Sequence, residues 1–122
     1  MTTKPAGTLA TTLRAVCASL PAATQDVKWG EVLVFSVGNK MFATTHLDGG
    51  DGFCFKVDDD RFLELTDRPG IIPAPYLARA KWVQITNTKT LSREETTALV
   101  KRSYQLVFSK LTKKLQREIG HE

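Results

Sequence analysis

Apolar residues recur at helical spacing near the start of this chain of 122 residues. The set consists of Leu9, Leu13, Val16, Cys17 and Leu20. Residues three or four positions apart share one face of a helix, so the set predicts an amphipathic helix over residues 7–20. Pro21 is expected to end this helix.

Runs of β-branched and aromatic residues predict three strands next, at residues 31–37, 41–46 and 53–57. The first two are joined at Gly38-Asn39, a pair typical of tight hairpins. The turn at residues 48–52 reads DGGDG and contains residues that tolerate a positive φ. Consecutive strands with short turns favour an antiparallel meander.

Alternation within the strands predicts which side chains face the core. In the third strand the alternating apolar residues are Phe53, Phe55 and Val57, with Cys54 and Lys56 between them. In a later strand, at residues 82–86, Val83 and Ile85 alternate with Trp82. Opposite faces of a strand alternate with a period of two, so Trp82 and Lys56 are expected on the face away from the helices. That face is expected to be open to solvent, or to be covered by a partner subunit or by another element.

A short helix and a possible edge strand lie between these strands. Residues 58–67 predict a helix with an aspartate N-cap and with Phe62, Leu63 and Leu65 on its apolar side. The proline-rich loop that follows contains Ile71-Ile72, which fits a short edge strand.

The C-terminal segment predicts one long amphipathic helix over residues 93–118. Ser92 and Glu95 form a capping box at its start, and Gly120 follows its end. Its apolar residues, at spacings of three and four, are Val100, Tyr104, Val107, Leu111 and Leu115. The complete order of helices and strands predicts a single α+β domain over residues 1–122. It is a two-layer fold, in which the helices pack on one face of an antiparallel sheet.

Charge is unevenly distributed, although the net charge is only +4. Residues 47–67 carry seven acidic and two basic residues, whereas residues 68–89 carry four basic residues and residues 101–117 carry six, with no acid in either segment. On one continuous helix Lys110, Lys113 and Arg117 would form a stripe, with Arg102 near it. This stripe fits a solvated helix face or a phosphate-binding surface, and sequence alone leaves both interpretations open.

Catalytic and metal-binding patterns are weak. The DGGDG turn lacks the ligand spacing of a calcium loop, and the two cysteines fit no metal site. His46 and His121 have no activated nucleophile nearby in sequence. We therefore expect a protein that is not an enzyme and holds no metal or cofactor. The absence of a long apolar run predicts no membrane span, and the cysteines suggest reduced thiols in a cytoplasmic protein.

Several motifs together resemble the MmcQ/YjbR-like family. They are VKWGEVLVFSVGNKMFA (residues 27–43), GFCFKVDDDRF (52–62), IPAPYLARAKWVQI (72–85) and KRSYQLVFSKL (101–111). The family positions that they carry over are Trp29, Gly30, Lys40, Phe42, Lys56, Tyr76, Trp82, Ser103 and Tyr104. The resemblance implies a fold similar to that of secretion chaperones. It also implies a DNA-binding function with a "double wing" arrangement of hairpins.

Together, the charge pattern and the resemblance give a hypothesis of DNA binding, in which basic groups contact phosphate and Trp82 stacks or packs. The candidate residues are Lys28, Lys40, Arg79, Lys81, Trp82, Arg102, Lys110, Lys113 and Arg117. A basic stripe running without interruption from residues 79–82 to the terminal helix would favour it. One alternative is a protein-interaction or chaperone-like domain that uses the open sheet face, as a monomer or homodimer. A ligand pocket around His46 and Tyr76 is a third hypothesis.

Overall fold

A computed structural model describes residues 13–28, 32–46, 53–75, 77–86 and 91–120, except for the side chains of His46, Ala78 and Gly120. The first helix, α1, is described over residues 13–19. The elements after it are β1 (Thr24–Lys28), β2 (Val32–Val37), β3 (Lys40–His46), β4 (Phe53–Lys56), α2 (Asp59–Thr66), β5 (Ile71–Pro73), a 3₁₀ turn (Ala78–Ala80), β6 (Trp82–Ile85), α3 (Arg93–Phe108) and α4 (Lys113–Gly120). The predictions at Trp29, Gly30, Tyr76, His121 and the DGGDG turn lie outside the described residues.

Six antiparallel strands form one sheet in the order β1-β2-β3-β4-β6-β5. The predicted hairpin is confirmed, since Gly38 and Asn39 both have a positive φ, at 57° and 68°. The predicted edge strand at Ile71-Ile72 is also confirmed. Strand β1 was not predicted. All five of its residues are exposed, so pairing with β2 forms it without an apolar pattern that sequence could reveal.

A β-bulge interrupts the pairing of β2 with β3. Phe35 pairs with Ala43 and Ser36 pairs with Met41, so Phe42 is the extra residue on β3. The bulge breaks the two-residue alternation, and both Phe42 and Ala43 lie in the core with no exposed surface. The Phe42 ring packs edge-on against Tyr104 of α3, with centroids 5.4 Å apart.

The core lies between the sheet and the helices, which confirms the α+β, two-layer prediction. Phe53, Phe55, Val83 and Ile85 point into it, as their alternation predicted, and α3 packs across β2, β3 and β4. The first helix joins this layer through Leu13 and Cys17, both fully buried. Its end is tied to α3 because the Tyr104 hydroxyl donates to the Pro21 carbonyl at 2.6 Å.

Helix α2 begins where the aspartates predicted, with Asp58 as its N-cap residue. Its apolar side is narrower than expected. Leu65 is buried and Phe62 packs against the core, but the side chain of Leu63 is 77% exposed. The prediction that Leu63 faces the core was therefore wrong, because a helix of eight residues presents only one short stripe to the sheet.

The C-terminal segment predicted as one helix over residues 93–118 is helical, but a turn at residues 109–112 divides it into α3 and α4. The capping box of Ser92 and Glu95 is present at the start of α3. At the turn, the Thr112 hydroxyl accepts the backbone N–H of Leu115 at 3.2 Å, and the Gln116 amide donates to the Leu111 carbonyl at 2.9 Å. These bonds satisfy backbone groups at the two helix ends. No helix within the described ranges is long and apolar enough to cross a membrane.

Candidate nucleic-acid interface

The strand register assigns the candidate residues to the two ends of the sheet. Lys56 pairs with Trp82 at the end where the β2–β3 hairpin turns, which we call the hairpin end. Lys28 pairs with Val32 at the opposite end of the sheet. The predicted phosphate contact at Lys28 is therefore separated from the other candidates by the length of the strands.

The hairpin packs directly on the turn between α3 and α4. A Cβ atom at Gly38 would lie only 2.8 Å from both Cδ atoms of Leu111, so the glycine backbone and the leucine side chain are in close contact. Leu111 follows Lys110 in that turn, and Lys40 is two residues from Gly38. The packing thus brings Lys40 to the same corner of the molecule as the turn and the start of α4.

Five basic side chains project from this corner. They are Lys40, Lys110, Lys113, Lys114 and Arg117, and we call them the corner cations. All five are exposed, and none forms a salt bridge with another described residue. On α4 they lie away from Ile119, which is buried, and Leu115, which packs against the core. The predicted stripe of one continuous helix is replaced by a corner in which the turn, α4 and the hairpin each supply cations.

Arg102 differs from the corner cations because it is paired. Its guanidinium donates to both carboxylate oxygens of Asp58, at distances of 2.9 to 3.2 Å. These bonds lower the pKa of Asp58 and raise the pKa of Arg102. A bidentate arginine–carboxylate pair leaves few donors for phosphate. Arg102 was a candidate for phosphate binding, but in the folded chain it connects α3 to the start of α2.

Trp82 lies on the sheet face predicted for it but is buried. It is opposite Lys56 and outside the core cluster, yet its side chain is only 4% exposed. The loop before β6 closes at this position. The Trp82 carbonyl accepts the N–H of Ala74 at 3.0 Å, and the Trp82 N–H donates to the Leu77 carbonyl at 3.3 Å. The expectation of an open face at Trp82 was wrong, and a buried ring cannot stack on a base or anchor a partner protein.

The neighbours of Trp82 are also engaged within the chain. Lys81 has a positive φ of 64°, and its ammonium lies 5.3 Å from the ring centroid of Phe62 on α2. The ammonium of Lys56 donates to the carbonyl of Ala80. Arg79 is exposed and forms no salt bridge with a described residue. Of the basic candidates around Trp82, Arg79 therefore has the greater freedom to reach a ligand.

An acidic cleft separates these residues from the corner cations. It has a volume of about 400 Å³ and is lined by Lys56, Val57, Asp58, Asp59, Asp60, Leu106 and Lys110. Because β4 lies between β3 and β6, the three aspartates that follow β4 lie between the hairpin and the residues before β6. The uninterrupted basic stripe that would have favoured nucleic acid is broken here. The sequence placed these aspartates only at the start of a helix. Nothing in the run of acids showed that they would lie between the two groups of cations.

The described residues contain little that suggests catalysis. No group of three or more His, Cys, Asp or Glu side chains among them could hold a metal ion. Cys17 and Cys54 are free thiols. Burial raises the pKa of Cys17 to about 12 and also raises the pKa of Cys54, so neither is an activated thiolate.

Comparison with known proteins places the sequence in a family. The YjbR family profile matches residues 18–106. The chain belongs to the YjbR family. This confirms the resemblance drawn from the motifs.

Solved structures support the same assignment. The crystal structure of Deinococcus radiodurans protein DR2400, with the domain DUF419, matches with a TM-score of 0.77 and 32% identity. The match covers 88% of this chain and 85% of that one. A Pseudomonas syringae protein matches with a TM-score of 0.58 and 21% identity over 70% of this chain and 86% of that one, which supports the fold alone. No curated protein matches this YjbR chain.

Proposed function

We propose that this YjbR domain is a non-catalytic DNA-binding protein whose corner cations contact the phosphate backbone. The observation that carries the proposal is the packing of Gly38 on Leu111. It joins cations from three separate elements into one exposed surface. Lysine and arginine at such a surface contact phosphate without reading bases, so the binding is expected to depend little on sequence.

The β2–β3 hairpin also supports the proposal. It packs on the turn that leads into α4, and it would serve as one wing of the double-wing arrangement associated with the family. Lys40 at the hairpin and Lys113 at the start of α4 would then contact the same strand of the duplex. The free thiols of Cys17 and Cys54 are consistent with action in the reducing cytoplasm.

Salt dependence gives the proposal a quantitative form. Each neutralised phosphate contributes about 0.9 to the slope of log affinity against log salt concentration. Five corner cations therefore set an upper limit of about 4.5 for the slope. A slope well above this limit would require cations from elsewhere in the molecule.

The decisive experiment is fluorescence anisotropy with a short labelled duplex of mixed sequence, at low and increasing salt. The test variant is Lys113→Gln/Arg117→Gln, which removes two corner cations. Its matched control is Lys28→Gln/Arg93→Gln, which removes the same charge from the opposite end of the domain. We expect the test variant to bind about tenfold more weakly, with a slope lower by about 1.8, because two phosphate contacts are lost. The control should stay close to wild type.

Two results would overturn the proposal. The first is a wild-type protein that binds neither duplex nor single-stranded DNA at low salt. The second is an equal loss of affinity in both variant pairs, since this would mean that net charge alone attracts DNA and that the corner has no special role. Circular dichroism of each variant checks that the fold is retained.

A further inference from the structure

The strand order separates the basic residues at the hairpin end into two groups. Strand β4 lies between β3 and β6, so the segment that follows β4, with its three aspartates, leaves the sheet between the β2–β3 hairpin and the 3₁₀ turn before β6. The corner cations lie on the hairpin side, and the 3₁₀ turn carries Arg79. Lys56 and Lys110 line the acidic cleft together with the aspartates.

The aspartates of the cleft differ in whether their carboxylates form salt bridges. Asp58 is engaged by Arg102, with a closest distance of 2.9 Å. Asp59 and Asp60 are exposed in the first turn of α2, and neither forms a salt bridge with another described residue. Two charged carboxylates without a cation at salt-bridge distance repel a phosphate that approaches the cleft.

We infer that Asp59 and Asp60 are specificity-determining residues that end the phosphate-binding surface at Lys110 and exclude Arg79 from contact with DNA. This inference rests on the proposed function and concerns the extent of the same site. Its partner is a single segment of duplex backbone held at the corner. A polyanion that wraps across the hairpin end would have to pass the two carboxylates.

A charge-neutralising pair tests the inference. Asp59→Asn/Asp60→Asn keeps the shape of the cleft and removes its two exposed charges. The matched control, Asp26→Asn/Glu94→Gln, raises the net charge by the same amount on β1 and at the start of α3. We expect the cleft variant to bind a short duplex about fivefold more tightly than the control, because repulsion acts over roughly a Debye length.

A double-mutant cycle gives a more specific test, in which Arg79→Gln is introduced both into wild type and into Asp59→Asn/Asp60→Asn. In the wild-type background it should leave the affinity and the salt slope unchanged. In the Asp59→Asn/Asp60→Asn background it should lower the slope by about 0.9, because Arg79 has then gained a phosphate contact. This difference between backgrounds is a readout that a general loss of stability would not produce. Thermal melting of each variant confirms that α2 remains folded.

The outcomes distinguish this inference from the proposed function. If wild type binds and Arg79→Gln has the same effect in both backgrounds, the inference fails and the proposed function stands. If no variant binds DNA, both fail. If only the Asp59→Asn/Asp60→Asn variant binds, the two aspartates do limit the surface, but the natural protein does not use it for DNA.

Discussion

The hydroxyl of Ser103 on α3 donates a hydrogen bond to the carbonyl of Phe42 on β3, at a distance of 2.6 Å. The same hydroxyl accepts the backbone N–H of Lys56 on β4 at 2.9 Å. The last paired residues of β3 and β4 are Ala43 and Phe55, so Phe42 and Lys56 would be the next pair. Ser103 thus bridges two backbone groups that lie just beyond the paired residues of β3 and β4. This gives Ser103 a structural role.

Ser103→Ala is expected to destabilise the domain by about 2 kcal/mol, because it leaves a buried carbonyl and a neighbouring N–H without partners. Urea unfolding followed by circular dichroism measures the change. Ser109→Ala is the matched control, since its hydroxyl is exposed and bonds only the Leu106 carbonyl in its own helix turn. Equal unfolding free energies for wild type and Ser103→Ala would show that the bridge contributes nothing.

Gly38→Ala is expected to destabilise the domain by about 1–2 kcal/mol, because alanine is strained at a positive φ. The added Cβ would also press on Leu111, which must move away. Asn39→Ala is the control, since Asn39 also has a positive φ but its side chain is exposed. Urea unfolding should show a larger loss of unfolding free energy for Gly38→Ala than for the control. An equal or smaller loss would mean that Leu111 moves away from the added Cβ at little cost in free energy.

Much of this fold could be predicted because apolar spacing and turn residues are local signals. The hairpin at Gly38-Asn39 and the alternation of Val83 and Ile85 both follow from a few neighbouring residues. Features that depend on distant partners could not be predicted. Strand β1 is held by pairing with β2, and the carbonyl of the bulged residue Phe42 is bonded by a serine 61 residues away.

The candidate site was harder to predict than the fold. The helical spacing grouped Lys110, Lys113 and Arg117, which lie at the corner in the structure, but it could not show that Gly38 brings Lys40 to them. It also counted Arg102 and Trp82 as available, although the structure pairs one with Asp58 and buries the other. Charge segregation along a chain says nothing about which segments meet, and here acidic and basic segments face each other across a cleft.

Thr45→Val is expected to stabilise the domain by about 1 kcal/mol. Thr45 is 1% exposed, and its hydroxyl has no hydrogen-bond partner among the residues that the structure describes. An unpaired buried hydroxyl costs free energy that a methyl group of similar shape does not. Thr44→Val is the control on the same strand, because the Thr44 side chain hydrogen-bonds Cys54. The free energies of unfolding in urea should rise for the first variant and not for the second. A decrease for Thr45→Val would contradict the argument.

The Asp58–Arg102 pair is expected to make stability depend on pH in the acid range. Arg102 holds the pKa of Asp58 below its ordinary value of 3.8. The unfolded chain therefore binds the proton more readily than the folded chain, and stability from this pair is present above the ordinary value. It is lost as the pH falls through the lower, folded-state pKa. Because both side chains are partly exposed, the effect should be small and weakened by salt.

Urea unfolding of wild type and Asp58→Asn, at pH values from about 6 down to about 2, measures this contribution. The variant should be less stable than wild type at the upper end, and the difference should shrink at the lower end as Asp58 becomes protonated. Arg102→Gln should give the same convergence, because it removes the other partner of the pair. Glu64→Gln is the control, since it breaks the Arg61–Glu64 salt bridge within α2 and leaves Asp58 paired with Arg102. Wild-type and Asp58→Asn profiles that stay parallel over the whole range would show that Asp58 does not titrate differently on folding.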